Sequence, residues 1–184
     1  DGEATDEGRA YIYHGSATGL SSTTALTLDP TDQASAGFGD TVSSAGDVNG
    51  EGYSDVLVSA SSFDAEAVSE GRVFIYHGSA SGLSSTPALT LDPTDQANSF
   101  FGQNGVSTAG DVNGDGYSDL VYAGSASETY INTGTSFQTG YGWTADAFVD
   151  GGGIDTGVRL ADFNADGLVD LMDCNTGSAD VLDP

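Results

Sequence analysis

Lysine is absent from these 184 residues, and only Arg9, Arg72 and Arg159 offset 28 acidic residues, leaving a formal net charge of -25. Such a surface repels phosphate backbones and anionic lipid, which excludes nucleic acid as a direct partner and makes cations the natural ones. The single cysteine, Cys174, excludes an internal disulfide, and burial is its expected role. Long apolar runs are missing too. Stretches such as Val56-Leu57-Val58 fall far short of the roughly 20 residues that span a bilayer, so no membrane insertion is expected. Asp1-Gly2-Glu3 does not open a signal peptide, and the chain reads as starting after processing or inside a longer polypeptide. In place of helix-forming residues stand 27 glycines with abundant Ser, Thr and Asp, the composition of short strands and tight turns. The length suits one ordinary core, a single domain or a piece of one.

What is present is one acidic nine-residue loop three times over: DVNGEGYSD at 47–55, DVNGDGYSD at 111–119 and DFNADGLVD at 162–170. Side-chain oxygens stand at positions 1, 3, 5 and 9, with glycine at position 6 for the sharp bend, which is what calcium asks of a peptide. The candidate side-chain ligands are Asp47, Asn49, Glu51 and Asp55; Asp111, Asn113, Asp115 and Asp119; and Asp162, Asn164, Asp166 and Asp170. Turn preference alone would account for one such loop, not for the same oxygen pattern in triplicate. Magnesium demands a stricter geometry. Up to three calcium ions are therefore expected, in structural rather than catalytic roles.

Repetition extends beyond the loops. RAYIYHGSATGL at 9–20 returns as RVFIYHGSASGL at 72–83, and ALTLDPTDQA at 25–34 returns unchanged at 88–97, both displaced by 63 residues. The first two acidic loops, starting at Asp47 and Asp111, are 64 apart because one residue has entered near Asn104-Gly105; the third starts 51 further on, at Asp162. A period of roughly 40 to 60 residues carrying several strands is the signature of propeller blades.

Alternation and turn residues predict four strands in one period: Val42 to Ala45 before the acidic loop, Asp55 to Ala60 after it, Arg72 to His77, and Ala88 to Leu91. The second period replaces the IYHGS segment by ETYINTGTSF and places its outer strand at Trp143 to Phe148. Ser178 to Leu182 is a candidate third strand of the last unit. The expected division is a C-terminal half-blade at 1–34, a blade with the first loop at 35–97, a blade with the second at 98–150, and an N-terminal half-blade with the third at 151–184. The fold class is thus all-β, a partial propeller of about three blades, each of four antiparallel strands. Further blades, from the same polypeptide or a second copy, are expected to complete it, because three are fewer than the usual four to eight.

Phe38-Gly39, the stretch VSSAGDVNG at 42–50 and RVFIYHG at 72–78 closely resemble the FG-GAP repeat of integrin alpha-subunit propellers and their microbial relatives. The elements recur as Phe101-Gly102 and VSTAGD at 106–111, and the likeness covers roughly the first 125 residues. The last 60 or so resemble VCBS-type repeats of secreted adhesins and toxin-complex proteins. The resemblance implies a seven-bladed propeller with calcium between strands one and two of a blade. It adds the backbone carbonyls of Tyr53, Tyr117 and Leu168 at loop position 7 to the ligand sets. Glu51 departs from the usual aspartate, which implies a weaker or distorted first site, and Ala165 replaces the glycine found at position 114.

No catalytic constellation emerges. The Gly78–Gly82 segment and its copy at 15–19 read as turns between outer strands rather than nucleophile elbows. His14 and His77 occupy equivalent repeat positions, which suits packing or turn roles better than a single general base. Tyr141, Trp143 and Phe148 read as cover for the irregular second blade rather than a sugar platform. The expected function is a non-enzymatic, calcium-binding segment of a secreted or cell-surface propeller serving adhesion, assembly or ligand display toward a protein or glycan. The alternatives are a carbohydrate-binding, lectin-like propeller and an accessory propeller of a larger secreted enzyme or toxin.

Overall fold

The computed structural model describes residues 4–92, 97–103, 105–122, 128–139, 159–161, 170–173 and 180–182. The described residues are strands and turns, and no helix is long and apolar enough to cross a membrane. The strands are β1 Ala10–Ile12, β2 Gly15–Ser16, β3 Gly19–Leu20, β4 Leu26–Leu28, β5 Phe38–Gly46, β6 Asp55–Ala60, β7 Arg72–Tyr76 and β8 Leu89–Leu91. They continue as β9 Val106–Gly110, β10 Asp119–Tyr122, β11 Glu128–Asn132, β12 Phe137–Thr139, β13 Arg159–Ala161, β14 Asp170–Asp173 and β15 Asp180–Leu182.

Two four-stranded antiparallel sheets, ordered β5-β6-β7-β8 and β9-β10-β11-β12, are meanders in which each strand lies beside the next in sequence. This is the blade unit of a propeller. At the N-terminal side β1 pairs with β4, while β2 and β3 form a small hairpin between them; at the C-terminal side β13, β14 and β15 form a three-stranded sheet. The chain is all-β, a partial propeller.

The strands predicted for the first full period are present, with β5 extended back to Phe38. In the second period the inserted residue has a visible effect: β9 starts only at Val106, after Gly105 at φ 111°. Among the described residues the outer strand of this sheet is Phe137–Thr139. It is set by a tight turn in which Thr133 donates its N–H to the Ser136 carbonyl (2.9 Å) and Gly134 has φ 77°. The Trp143–Phe148 segment and Cys174 lie outside the described residues.

Two compact units are distinguished: Asp1–Val42 with Val56–Gln103, and Ser43–Asp55 with Asn104–Pro184. The core of the first gathers Ala10, Leu28, Ala36, Phe38, Val58, Ala60, Phe74 and Tyr76. The β6 run is buried as its sequence suggested, with Leu57 and Val58 wholly inaccessible. The second unit has a smaller core of Ala109, Val112, Val121 and Ile131. It also holds the whole first acidic loop, so both described loops belong to one compact body.

The 63-residue repeat is geometrical as well as textual. Phe38 donates its N–H to the Glu7 carbonyl (2.9 Å), and Phe101 does the same to Glu70 (2.8 Å). Ser35 and Asn98, at φ 62° and 60°, donate in turn to the carbonyls of Thr5 and Val68. Two of the scarce arginines serve this repeat. Arg9 reaches Glu7 (3.2 Å) and Asp29 (2.7 Å), and Arg72 reaches Glu66 and Asp92, with the Nε bond to Asp92 at 2.9 Å. Glu7 and Glu70 are fully buried, and the Glu70 carboxylate accepts the N–H groups of Glu66 (3.1 Å) and Ala67 (2.9 Å). Burying a carboxylate is costly unless such partners satisfy its oxygens.

Candidate metal centres

Each described acidic loop joins the first strand of a blade to the second: 47–54 between β5 and β6, and 111–118 between β9 and β10. Glycines give both loops the same curl, with Gly50 and Gly52 at φ 72° and 92° and Gly114 and Gly116 at 75° and 92°. A side chain at these angles would be strained, which is why the motif spends glycine there.

The position-1 aspartate organises each loop. Asp111 accepts from Gly114 (2.8 Å) and Asp115 (3.1 Å) through Oδ1 and from Gly116 (2.8 Å) through Oδ2. Asp47 accepts from Glu51 (3.1 Å) and Gly52 (2.7 Å) in the same arrangement. Asn49 and Asn113 each accept the N–H of the residue two further on, at 3.3 and 3.1 Å. The position-9 aspartates, Asp55 and Asp119, are fully buried beneath the loops. They accept the N–H of Val48 and of Val112, each at 2.8 Å. Asp119 also accepts the N–H of Asn132 at 2.7 Å.

Position 5 distinguishes the two loops. Asp115 accepts the Tyr117 N–H at 3.0 Å and the Asn113 side-chain amide at 3.0 Å, which closes its loop. Among the described residues the longer Glu51 takes no such bonds through its carboxylate, and it is exposed. Tyr53 is exposed, whereas Tyr117 is half-buried, its ring covering Gly50. In each of the first two loops positions 1 and 3 are tied by hydrogen bonds to the backbone of position 5, and position 9 to that of position 2. The third loop, with Asp162, Asn164, Asp166 and Leu168, lies outside the described residues, and Asp170 opens β14.

The donor set is oxygen throughout, carboxylates and carboxamides with backbone carbonyls, which fits a hard divalent cation rather than zinc or copper. The local electrostatics agree. Burial pushes the Asp119 carboxyl above its usual range; the N–H donors of Asn132 and Val112 oppose this, and the negative charges of Asp115 and Asp111 add to it. Carboxylates crowded in this way lower their mutual repulsion by taking up a cation.

A different acidic group, Glu66, Glu70 and Asp92, brings carboxylate oxygens within 4.8 Å of one another. Arg72 stands among them as their counter-charge and lies 4.7 Å over the Phe63 ring. The Gly78–Gly82 segment is a turn as expected: Gly82 donates its N–H to the Ser79 carbonyl (2.9 Å), and the Ser79 hydroxyl donates back to the Gly82 carbonyl (2.7 Å). The Ser79 hydroxyl is engaged in closing this turn.

Asn132 and Ser118 are site residues that the sequence reading missed. The legible signal was an alignment of strands: Tyr76 pairs with Val56 and Tyr130 with Leu120, which sets Asn132 in register with Gly78. A polar side chain replacing glycine beside an acidic loop is a marked change.

The profile described as FG-GAP-like repeat matches residues 47–122 and 111–172, the second span running into the last third of the chain. Integrin alpha-4 of Xenopus laevis is 29% identical over 132 residues, 68% of this chain and 12% of that protein. Integrin alpha-5 of Xenopus laevis is 35% identical over 126 residues, 66% of this chain and 11% of that protein. Integrin alpha-PS3 of Drosophila melanogaster is 36% identical over 99 residues, 51% of this chain and 8% of that protein. The chain therefore spans about a tenth of the length of these relatives. With more than half of its residues matched by the repeat profile, and with its Phe-Gly elements and acidic loops in the order described above, the chain belongs to the FG-GAP-like repeat family.

Proposed function

We propose that this chain is a calcium-binding segment of an extracellular or cell-surface β-propeller, a non-enzymatic scaffold for adhesion, assembly or ligand display. The observation that carries the reading is the matched construction of two oxygen-only loops, each wound around its position-1 aspartate. Bound calcium would supply positive charge to carboxylates that otherwise repel one another. The chain's own residues do the rest: Asp47 and Asp111 hold the loop backbone in its curl, and Asp55 and Asp119 anchor it to the second blade strand. The relatives are named as integrin alpha chains, which supports the adhesion reading and a protein partner; a glycan partner is the alternative carried by the same reading. Further blades would be supplied by the same polypeptide or by a second copy.

Calorimetric titration with calcium and with magnesium, paired with melting curves in chelator, tests this. At least two calcium ions per chain are expected, with dissociation constants of ~10⁻⁴ to 10⁻³ M as in extracellular modules, and a lower melting temperature in chelator. Absence of calcium uptake, with melting indifferent to chelator, would defeat the proposal.

A further inference from the structure

The two described metal loops are joined by a hydrogen-bond path, and we propose that this path makes their cation binding cooperative, with Asn132 as the coupling residue. The inference rests on the calcium reading above and adds to it a dependence of each site on the other.

Asn132 ends β11 and is 2% exposed. Its backbone N–H donates to Asp119 Oδ1 at 2.7 Å, the ninth residue of the second loop. Its side-chain Nδ2 donates to the Val48 carbonyl at 2.6 Å, in the first loop, and to the Ser118 carbonyl at 3.1 Å. Val48 in turn donates its N–H to Asp55 Oδ2 at 2.8 Å, the ninth residue of the first loop. One path thus runs from Asp55 through Val48 and Asn132 to Asp119. The Asn132 Oδ1 is also engaged, accepting the Gly134 N–H at 2.9 Å, so the amide has a single fixed orientation.

Two struts run beside this path. Asp47 donates its N–H to Ser118 Oγ, and Ser118 donates its N–H to the Asp47 carbonyl, both at 3.1 Å. The Tyr117 ring lies so close over Gly50 that a methyl group there would come within 3.0 Å of it. All these residues belong to the same compact unit. Ordering one loop around a cation fixes Asn132 and Ser118, and with them the backbone of the other loop, so the second ion meets a smaller ordering cost. Among the described residues the device is found at this junction and not in the first blade. The first blade carries Gly78 in the register of Asn132, and glycine has no side chain to extend toward a preceding loop.

The test is a calcium titration of the 184-residue chain by NMR, following the amide signals of Gly52 and Gly116, which report the two loops separately. Asp111→Ala, which disables the second loop, is expected to weaken calcium binding at Gly52 by about tenfold. In an Asn132→Gly background the same change is expected to cost less than about twofold. Asn132→Ser, which keeps the backbone N–H and withdraws the amide, gives the same reading should the glycine variant fail to fold. Unchanged first-loop affinity in Asp111→Ala would overturn the coupling and leave calcium binding intact. Equal losses in both backgrounds would remove Asn132 from the role. If neither amide responded to calcium, the calcium reading would fall and this inference with it.

Discussion

Phe38 meets Phe74 edge to face, with ring centroids 5.7 Å apart and planes at 67°, and Phe63 approaches the same ring at 6.3 Å from a second side. The phenylalanine of the Phe-Gly pair is therefore a core anchor, 3% exposed, packed with Ala10 and Leu28 before it in sequence and with Val58 and Ala60 after it. Phe38→Ala is expected to cost about 3–5 kcal/mol in urea unfolding followed at saturating calcium, and Phe38→Leu distinctly less. A loss under about 1 kcal/mol for the alanine variant would show that the ring is not an anchor.

Gly71 illustrates why glycine precedes the arginine of each repeat. It has φ 83°, and a Cβ there would collide with the backbone N and O of Phe101, just as one at Gly8 would collide with Phe38. Gly82 also has a positive φ, 112°, but open space around it. Gly71→Ala should destabilise the chain by more than about 3 kcal/mol, combining backbone strain with the collision. Gly82→Ala should cost only roughly 1–2 kcal/mol, from strain alone. Comparable unfolding midpoints for the two variants would contradict the close approach at Gly71.

Most of the blade plan was legible because a textual repeat forces repeated geometry, and because runs such as Val56-Leu57-Val58 have no stable place outside a core. The outer strand expected at Trp143 to Phe148 lies outside the described residues, and Phe137–Thr139, which the sequence reading did not single out, pairs with β11. The deciding signal was Thr133-Gly134, a turn that brings Phe137 back onto β11. Burial of Glu7 and Glu70 was invisible to periodicity, since charged residues default to the surface. Their spacing was nevertheless on the page: each stands two residues before an arginine and 22 before an aspartate, as Glu7, Arg9, Asp29 and Glu70, Arg72, Asp92. The acidic loops were readable one at a time. Their linkage through Asn132 was not, because it joins residues 84 apart in sequence.

Glu51 offers a direct test of ligand geometry. Its counterpart Asp115 closes the second loop by accepting from Tyr117 and Asn113, while the extra methylene of Glu51 carries its carboxylate outward. Glu51→Asp is expected to tighten calcium binding at the first loop by about threefold to tenfold, read at the Gly52 amide. Asp115→Glu should weaken the second loop by a similar factor. Opposite signs for either variant would mean that position 5 is not a ligand.

Acidity should act on the proposed calcium sites in a direction that Asp119 sets. Burial raises its carboxyl above the ordinary value of 3.8, reinforced by the charges of Asp115 and Asp111 and opposed by its two N–H donors. Between that ordinary value and the raised one, the folded chain holds a proton that the unfolded chain has released. In chelator this group therefore favours the fold at the acidic end of the window, and its contribution is lost as pH rises through the raised value. Calcium requires the deprotonated carboxylate, so its binding strengthens over the same rise. The gap between melting temperatures in calcium and in chelator should accordingly widen from about pH 4 to pH 7. Asp119→Asn removes this titration and also a negative charge from the second loop, so the variant should show a smaller gap that depends less on pH, the remainder coming from the first loop. A wild-type gap that stays constant across this range would show that no buried carboxylate stands between the proton and the metal.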